Sequence, residues 1–394
     1  MKIISLLIFV AVLNCTVGKS FAQNGFTVKA EAKNSYVQDS LKEGKWIEYL
    51  DSLLKPIEKN NAKYYRLAVY HHGKENEIVR LYSLTDSLIL ETAMSDGEKN
   101  GIEKYFYTVG SQYINDTVSH YIQEISYLHS KRNGFFKLYK DGVLLMEDLY
   151  KQDKRNGLSK SYWTDGQISK ESTYSNDTLD GLERDYYAGG SKLHKERMYK
   201  NGKLNGISKE YDLDGILMET ITYKDDLADG IRTRYKDNKL HITAEYKNGL
   251  RNGVTKYYYE NGTIGSKTFF KDDLEDGMFE TYYKNGNVST SGFYKKGEID
   301  GVMKEYYENK KIKKETAYFH GYKHGIEKCY HPNGSLKSVA TFYLDRKNGI
   351  EKIYNAKGTL ISSLNYKNGY EDNTNKPLPP KPLQPGKRDV KAGD

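Results

Sequence analysis

The chain of 394 residues has 37 tyrosines and 35 glycines, with 37% hydrophobic and 29% charged residues. So few aliphatic side chains exclude a thick globular core, and so many aromatics exclude a wholly disordered chain. The formal net charge of +8 is mild for this length, and no nucleic-acid partner is expected from it.

The N-terminus reads as an export signal. Lys2 precedes an apolar run of 11 residues, Ile3 to Leu13, too short to cross a bilayer as a helix. Ser20, Phe21 and Ala22 then present small residues where a signal peptidase cuts, which predicts a signal peptide over 1–22 cleaved after Ala22. The rival is lipidation at Cys15, where the preceding Asn14 fits poorly. Export predicts a periplasmic, cell-surface or secreted protein. Its mature chain would keep one cysteine, Cys329, and its net charge would fall from +8 to +6 with Lys2 and Lys19 gone. No transmembrane segment is expected in that mature chain.

Residues 23–43 read as a polar lead-in. From residue 44 to residue 370 one unit recurs. With its first glycine as offset 0, offset 1 is usually aliphatic, offset 5 Tyr, offset 9 a turn Gly, offset 11 aliphatic and offset 17 Tyr or Phe. Units start at Gly44, Glu77 (replacing Gly), Gly101, Gly134, Gly157, Gly181, Gly206, Gly230, Gly253, Gly277, Gly301, Gly325 and Gly349, about 24 residues apart from Gly134 on. A fixed period of this kind marks a repeat array. The extra residues of the two long intervals fall in Leu50–Asn61 and Thr108–Val118, so 44–133 is read as irregular units with enlarged turns and 134–370 as regular ones.

Each unit is predicted to be a β-hairpin with strands at offsets 1 to 6 and 11 to 17. The odd offsets of the Tyr and aliphatic positions put them on one face. Asp165-Gly166, Asn261-Gly262, Asn285-Gly286 and Asn333-Gly334 predict the first turn; Asn133-Gly134, Asp180-Gly181, Asn205-Gly206 and Asn252-Gly253 predict the second. The fold class is all-β: an elongated array of consecutive antiparallel hairpins in one long twisted sheet. Residues 371–394, with five of the seven prolines in Pro377–Pro385, read as a disordered tail.

The pattern Gly-x-x-x-x-Tyr-Tyr-x-Asn-Gly-x-Leu, then Tyr-Lys-Asn-Gly-Lys-x-Asn-Gly, resembles the bacterial variant of the MORN repeat (membrane occupation and recognition nexus). It is clearest at Gly253 to Lys271 and Gly277 to Gly301, and also at Gly157–Tyr174 and Gly349–Gly369. The likeness covers roughly residues 44–370; Glu77 and the shortened unit Gly230–Asn252 depart from it. The resemblance implies a sheet of hairpins used for binding and scaffolding rather than chemistry, with phospholipid association as a family trait. Bacterial relatives are called antitoxin-like, a label that does not suit an exported chain.

Offset 3 is the candidate functional position. It holds Arg80, Lys104, Lys137, Lys160, Arg184, Lys209, Lys256, Lys304, Lys328 and Lys352, with Ile47, Thr233 and Glu280 as exceptions. Odd parity places these cations beside the offset-5 tyrosines, among them Tyr162, Tyr211, Tyr258, Tyr306 and Tyr330. One reading is a cationic, aromatic groove for an anionic lipid surface, acidic glycan or acidic protein strip. The other is Lys stems covering Tyr rings with their charges in water.

His320, His324, Cys329 and His331 are near in sequence. However, the first two fall in a turn and His331 lies past the far end of a strand, which leaves too few ligands for zinc; His71 and His72 also sit in a turn. No metal, cofactor or catalytic residue is assigned. The sequence thus predicts an exported non-enzymatic binding or scaffolding protein with an unidentified protein partner. The alternatives are membrane or glycan association through the ladder, and an enzyme in the irregular N-terminal units.

Overall fold

The structure, a computed structural model, describes residues 25–38, 40–110, 118–189 and 192–372. The predicted signal segment with Cys15 and Ala22, and the tail beyond residue 372, lie outside them. The described chain is all-β, built of consecutive antiparallel strands with two short 3-10 turns, Lys29–Glu31 and Lys59–Asn61. It divides into two compact units, one ending at Lys203 and one beginning at Leu204. The last strand, Tyr370–Glu371, pairs with Tyr366 and Lys367, so pairing runs one residue past the predicted array end.

One hairpin shows the local logic. Gly157–Tyr162 pairs with Ile168–Ser175, Gly157 opposite Tyr174 and Lys160 opposite Glu171. At the first turn the Trp163 N–H donates to the Gln167 carbonyl at 2.7 Å and the Gly166 N–H to the Trp163 carbonyl at 2.9 Å. Gly166 alone takes a positive φ, 83°. The Asp165 carboxylate instead accepts the Gln167 N–H at 2.9 Å, as Asx turns do.

The second turn is made by other residues than the sequence suggested. Asn176 and Asp177 have φ of 48° and 67°, two consecutive left-handed residues whose twist matches the strands they join. Asp180-Gly181, Asn133-Gly134 and Asn252-Gly253 lie inside strands, and Gly206 opens one, Gly206–Tyr211. These glycines sit at bulges: Ser172 pairs with Glu183 but Tyr174 with Leu179, so the partner strand gains two residues.

A second bulge corrects the predicted face. The partner of Ser161 is Lys170 but that of Tyr162 is Ile168. The residue skipped there shifts the parity of the second strand. Offsets 1, 3, 5 and 11 share one face, whereas the aromatic at offset 17, opposite the unit's glycine, lies on the other. We call these the ladder face and the aromatic face.

The first unit is thick where it begins. Phe26, 3% exposed, packs with Tyr65, Leu67 and Val69 on the ladder face. Trp46, Ala68, Tyr70, Val79 and Met94 cluster on the aromatic face. The lead-in read as polar therefore supplies a lid, which removes Phe26 and its neighbours from water. Both long intervals do enlarge first turns: Leu50 bridges Pro56 in one, and in the other Glu98–Val109 and Ser119–Leu128 are lengthened, with the Tyr107 and Tyr121 rings stacked at 5.3 Å.

The second unit has no such lid among the described residues. What is buried there is a row of mostly small or polar side chains on the aromatic face, including Ala244, Thr255, Thr316 and Ala340. Successive repeats are tied by side chains. The Tyr259 hydroxyl donates to the Tyr282 carbonyl at 2.7 Å, Tyr283 to Tyr306 at 2.6 Å and Tyr307 to Tyr330 at 2.8 Å, and His331 Nε2 donates to the Tyr354 carbonyl at 3.1 Å. Asn261, Asn309 and Asn333 donate from Nδ2 to carbonyls one repeat on. A repeat sheet this thin gains its stability from such neighbour terms.

The candidate ladder face

In the first unit the offset-3 cations do not stand alone. The register runs Arg80, Glu91, Lys104, Glu124, Lys137, Glu147, Lys160, Glu171, Arg184, Glu196, each directly opposite the next across neighbouring strands. Contacts follow the register: Arg80–Glu91 at 2.7 Å, Lys104–Glu124 at 2.8 Å, Lys137–Glu147 at 3.1 Å and Arg184–Glu196 at 3.2 Å. The hydrogen bond that Lys137 donates to Glu147 holds its pKa above the usual range for lysine. Burial pulls the Arg184 pKa down, but the hydrogen bond and attraction to Glu196, with Tyr186 and Glu171 adding to them, together outweigh it and the net shift is upward. Opposite charges facing across strands stabilise the pairing. A row that alternates in sign has no net attraction for a polyanion, so the expected groove does not exist over Arg80 to Arg184. Arg80 is also only 9% exposed and donates to the Phe26 carbonyl at 3.1 Å beneath the lid.

The second unit breaks the alternation. Its row runs Lys209, Thr220, Thr233, Thr243, Lys256, Lys267, Glu280, Ser291, Lys304, Glu315, Lys328, Val339, Lys352, Ser363. Six lysines face two glutamates. Lys267 reaches Glu280 at 3.8 Å and Lys304 reaches Glu315 at 3.4 Å. Lys256, Lys328 and Lys352 have no carboxylate within ion-pair distance among the described residues. Lys256 stands directly opposite Lys267, a like-charge pair that destabilises the strands it joins. The Lys267 ammonium sits 5.5 Å from the Tyr282 ring centroid, and that tyrosine's hydroxyl is the chief cause of its raised pKa, with Glu280 adding to it.

The offset-5 tyrosines do line the ladder row. The Tyr330 hydroxyl donates to Glu315 at 2.9 Å and Tyr186 to Glu171 at 2.9 Å; burial first, then the Glu315 bond, push the Tyr330 pKa to about 12. Tyr306 meets Ser291 at 3.4 Å. Tyr162, Tyr211 and Tyr258 are half-buried. Beside the charged row runs a second, apolar one. Ile207, Ile231, Met278, Val302, Ile326 and Ile350, all at offset 1, are 52–55% exposed, joined by Phe269 at 40% and Phe293 at 47%. Two shallow depressions bring the rows together, one lined by Val254, Lys256, Lys267, Phe269, Met278 and Glu280, the other by Val302, Lys304, Glu315, Ala317, Ile326 and Lys328.

The cation–aromatic stacking foreseen for offset 3 occurs mainly on the aromatic face, two residues before each unit's glycine. Arg155 lies 4.0 Å from the Tyr174 ring centroid, Arg132 4.3 Å from Tyr150, Arg251 4.0 Å from Phe270, and Lys323 4.9 Å from Phe342. These pairs cover rings and are structural. The histidines are accounted for individually: His320 contacts Glu298 at 3.2 Å, His324 packs between Phe319 and Tyr343, His331 ties two repeats, and His71 contacts Glu43 at 3.3 Å.

Seven segments match the MORN repeat variant. They are residues 155–176, 204–225, 251–272, 275–296, 299–320, 323–343 and 347–368. Each matched segment begins two residues before the unit's glycine, at a position where Arg155, Arg251, Lys323 and Lys347 each cover a ring. From Gly134 on, the units at Gly134, Gly181 and Gly230 are not among them, and within that stretch these are the three whose first turns differ in length. Gly134 and Gly230 close with two-residue turns, Asp141-Gly142 and Asp237-Asn238, all at positive φ. A comparison with curated proteins finds no match.

Proposed function

We propose that this chain is an exported, non-enzymatic binding protein whose MORN-type repeats present the ladder face of the second unit to a protein partner. The observation that carries the reading is the line of half-exposed aliphatic side chains from Ile207 to Ile350. The row is apolar without a break from Val254 to Ile326, and such a stretch on a surface otherwise rich in charge marks an interaction site. Export rests on the predicted signal over 1–22. The test is a photo-crosslinking residue placed at Met278 or Ile326 in the native envelope, with Leu227 as the control position. A discrete adduct at the first two and none at the third supports the reading; identical patterns at all three overturn it.

The excess of lysine in the second unit favours one other reading, association with an anionic membrane or acidic glycan. Replacing Lys256, Lys304 and Lys328 with Glu tests it on anionic liposomes and on acidic polysaccharide. Unchanged retention refutes it.

A further inference from the structure

We propose that the ladder face between Lys256 and Lys328 is a seat for an acidic amphipathic α-helix laid across the strands. The inference rests on the protein-binding reading above and names the partner's chemistry. Its first support is charge. Lys256 and Lys328, neither within ion-pair distance of a carboxylate among the described residues, each sit at one of the two depressions, next to Met278 and Ile326 respectively. A ligand that satisfies both must carry acids and apolar groups side by side along its length. The Lys256–Lys267 opposition adds a specific anion site, because a carboxylate placed between the two ammonium groups removes their repulsion.

The second support is spacing. Neighbouring strands lie about 4.8 Å apart, so the same position recurs every ~9.6 Å along the row. Seven residues of α-helix advance about 10.5 Å and return to nearly the same face. A helix therefore offers one heptad per repeat. An extended peptide covers that distance in about three residues and would show alternate repeats opposite sides. From Lys256 to Lys328 is three repeats, about 29 Å along the row, the length of a helix of roughly 20 residues. The first unit, with its alternating row, offers no such seat, which confines the site to the second.

The probe is a fluorescein-labelled peptide of three heptads, with Leu at two positions per heptad, Glu flanking the Leu stripe and Ala or Gln elsewhere. Its binding to the mature full-length protein is read by anisotropy. Two controls carry the same composition scrambled, or Lys in place of every Glu. Saturable binding of the first peptide alone is expected, weakened at least tenfold by Lys256→Glu with Lys328→Gln. Lys160→Gln in the first unit should change it less than twofold. Because Lys256→Glu relieves a like-charge contact, that variant should melt at the same temperature as the parent or higher, which separates lost binding from lost folding. Equal binding of the scrambled or lysine peptide, or an unaffected double variant, overturns the proposal. Retention on vesicles of phosphatidylcholine and phosphatidylglycerol, or on polygalacturonate, without peptide binding would also overturn it. If adducts form in the envelope at Met278 and Ile326 while the peptide fails, the helix is wrong and the protein-binding reading stands.

Discussion

Gly277→Ala probes the bulge that each repeat depends on. Gly277 has φ of +133°, and a β-carbon built there would lie 2.8 Å from Cβ of Phe269 and 3.4 Å from its Cγ. Cβ of Phe269 is fixed to the backbone of a paired strand and cannot rotate away. The left-handed backbone costs an L-residue about 1–2 kcal/mol, and relief of the overlap about 1–3 kcal/mol more, for a total of ~2–5 kcal/mol. Gly301 is the internal control, because its φ is +92° and nothing lies within 4 Å of a β-carbon there. Gly301→Ala should cost only the backbone part, about 1–2 kcal/mol. Since a repeat array can open locally, the readout is native-state hydrogen exchange of amides in Leu274–Tyr282 and Val288–Lys295 for the first variant, and in Gly301–Tyr306 for the second. If the two substitutions cost the same, the bulge contact carries no weight and the reasoning fails.

Other outcomes follow from single contacts. Tyr283→Phe removes the donor to the Tyr306 carbonyl, 2.6 Å away, and should cost about 1 kcal/mol, seen as faster exchange on both sides of that repeat boundary. Burial raises the pKa of Glu327, but its bonds to Lys323 and its attraction to Lys314 dominate and hold it below the ordinary 4.5. Its contribution is therefore complete above that value and is lost as pH falls through the lowered one. Urea midpoints of Glu327→Gln should fall below those of the parent at pH 7 and converge with them in strong acid. Tyr330, pushed up to about 12, should stay un-ionised at pH 11, so Tyr330→Phe should leave the phenolate absorbance there unchanged. Glu77 occupies the glycine position at φ 62°, so Glu77→Gly should raise the melting temperature by relieving left-handed strain worth about 1 kcal/mol.

The period and the hairpins were legible because Gly, Asn and Tyr signal locally and recur in phase. The face of the offset-17 aromatic was not. A bulge costs one residue of alternation, and nothing in the composition of Ile168–Tyr174 announces it. The cations at offset 3 were found, but their meaning depends on what lies across the strand. Glu147 and Glu171 are plain in the sequence, but plain alternation outward from Gly166 sets Lys170 against Lys160, and only the bulge at Tyr162 brings Glu171 there. Lys267 was missed for the same reason. The lid was hidden for a different one: Phe26 meets Tyr65 and Leu67 across dozens of residues of chain, and its contacts repeat nowhere else.

The ties between repeats have a direction. The hydroxyls of Tyr259, Tyr283 and Tyr307, and the imidazole of His331, all donate toward the C-terminus, each to a carbonyl in the following repeat. The next residue in that register is Asn355, whose Oδ1 instead accepts the N–H groups of Lys357 and Thr359 in its own turn. Each repeat from Gly253 to Gly325 thus leans on its successor through this one side chain, whereas other bonds run the opposite way, as when the Tyr330 hydroxyl donates back to Glu315 and the Gly297 N–H to the Glu275 carbonyl. Under tension applied from the C-terminal side these ties would be broken in sequence, so the second unit should yield to force in steps of one repeat rather than as a single block.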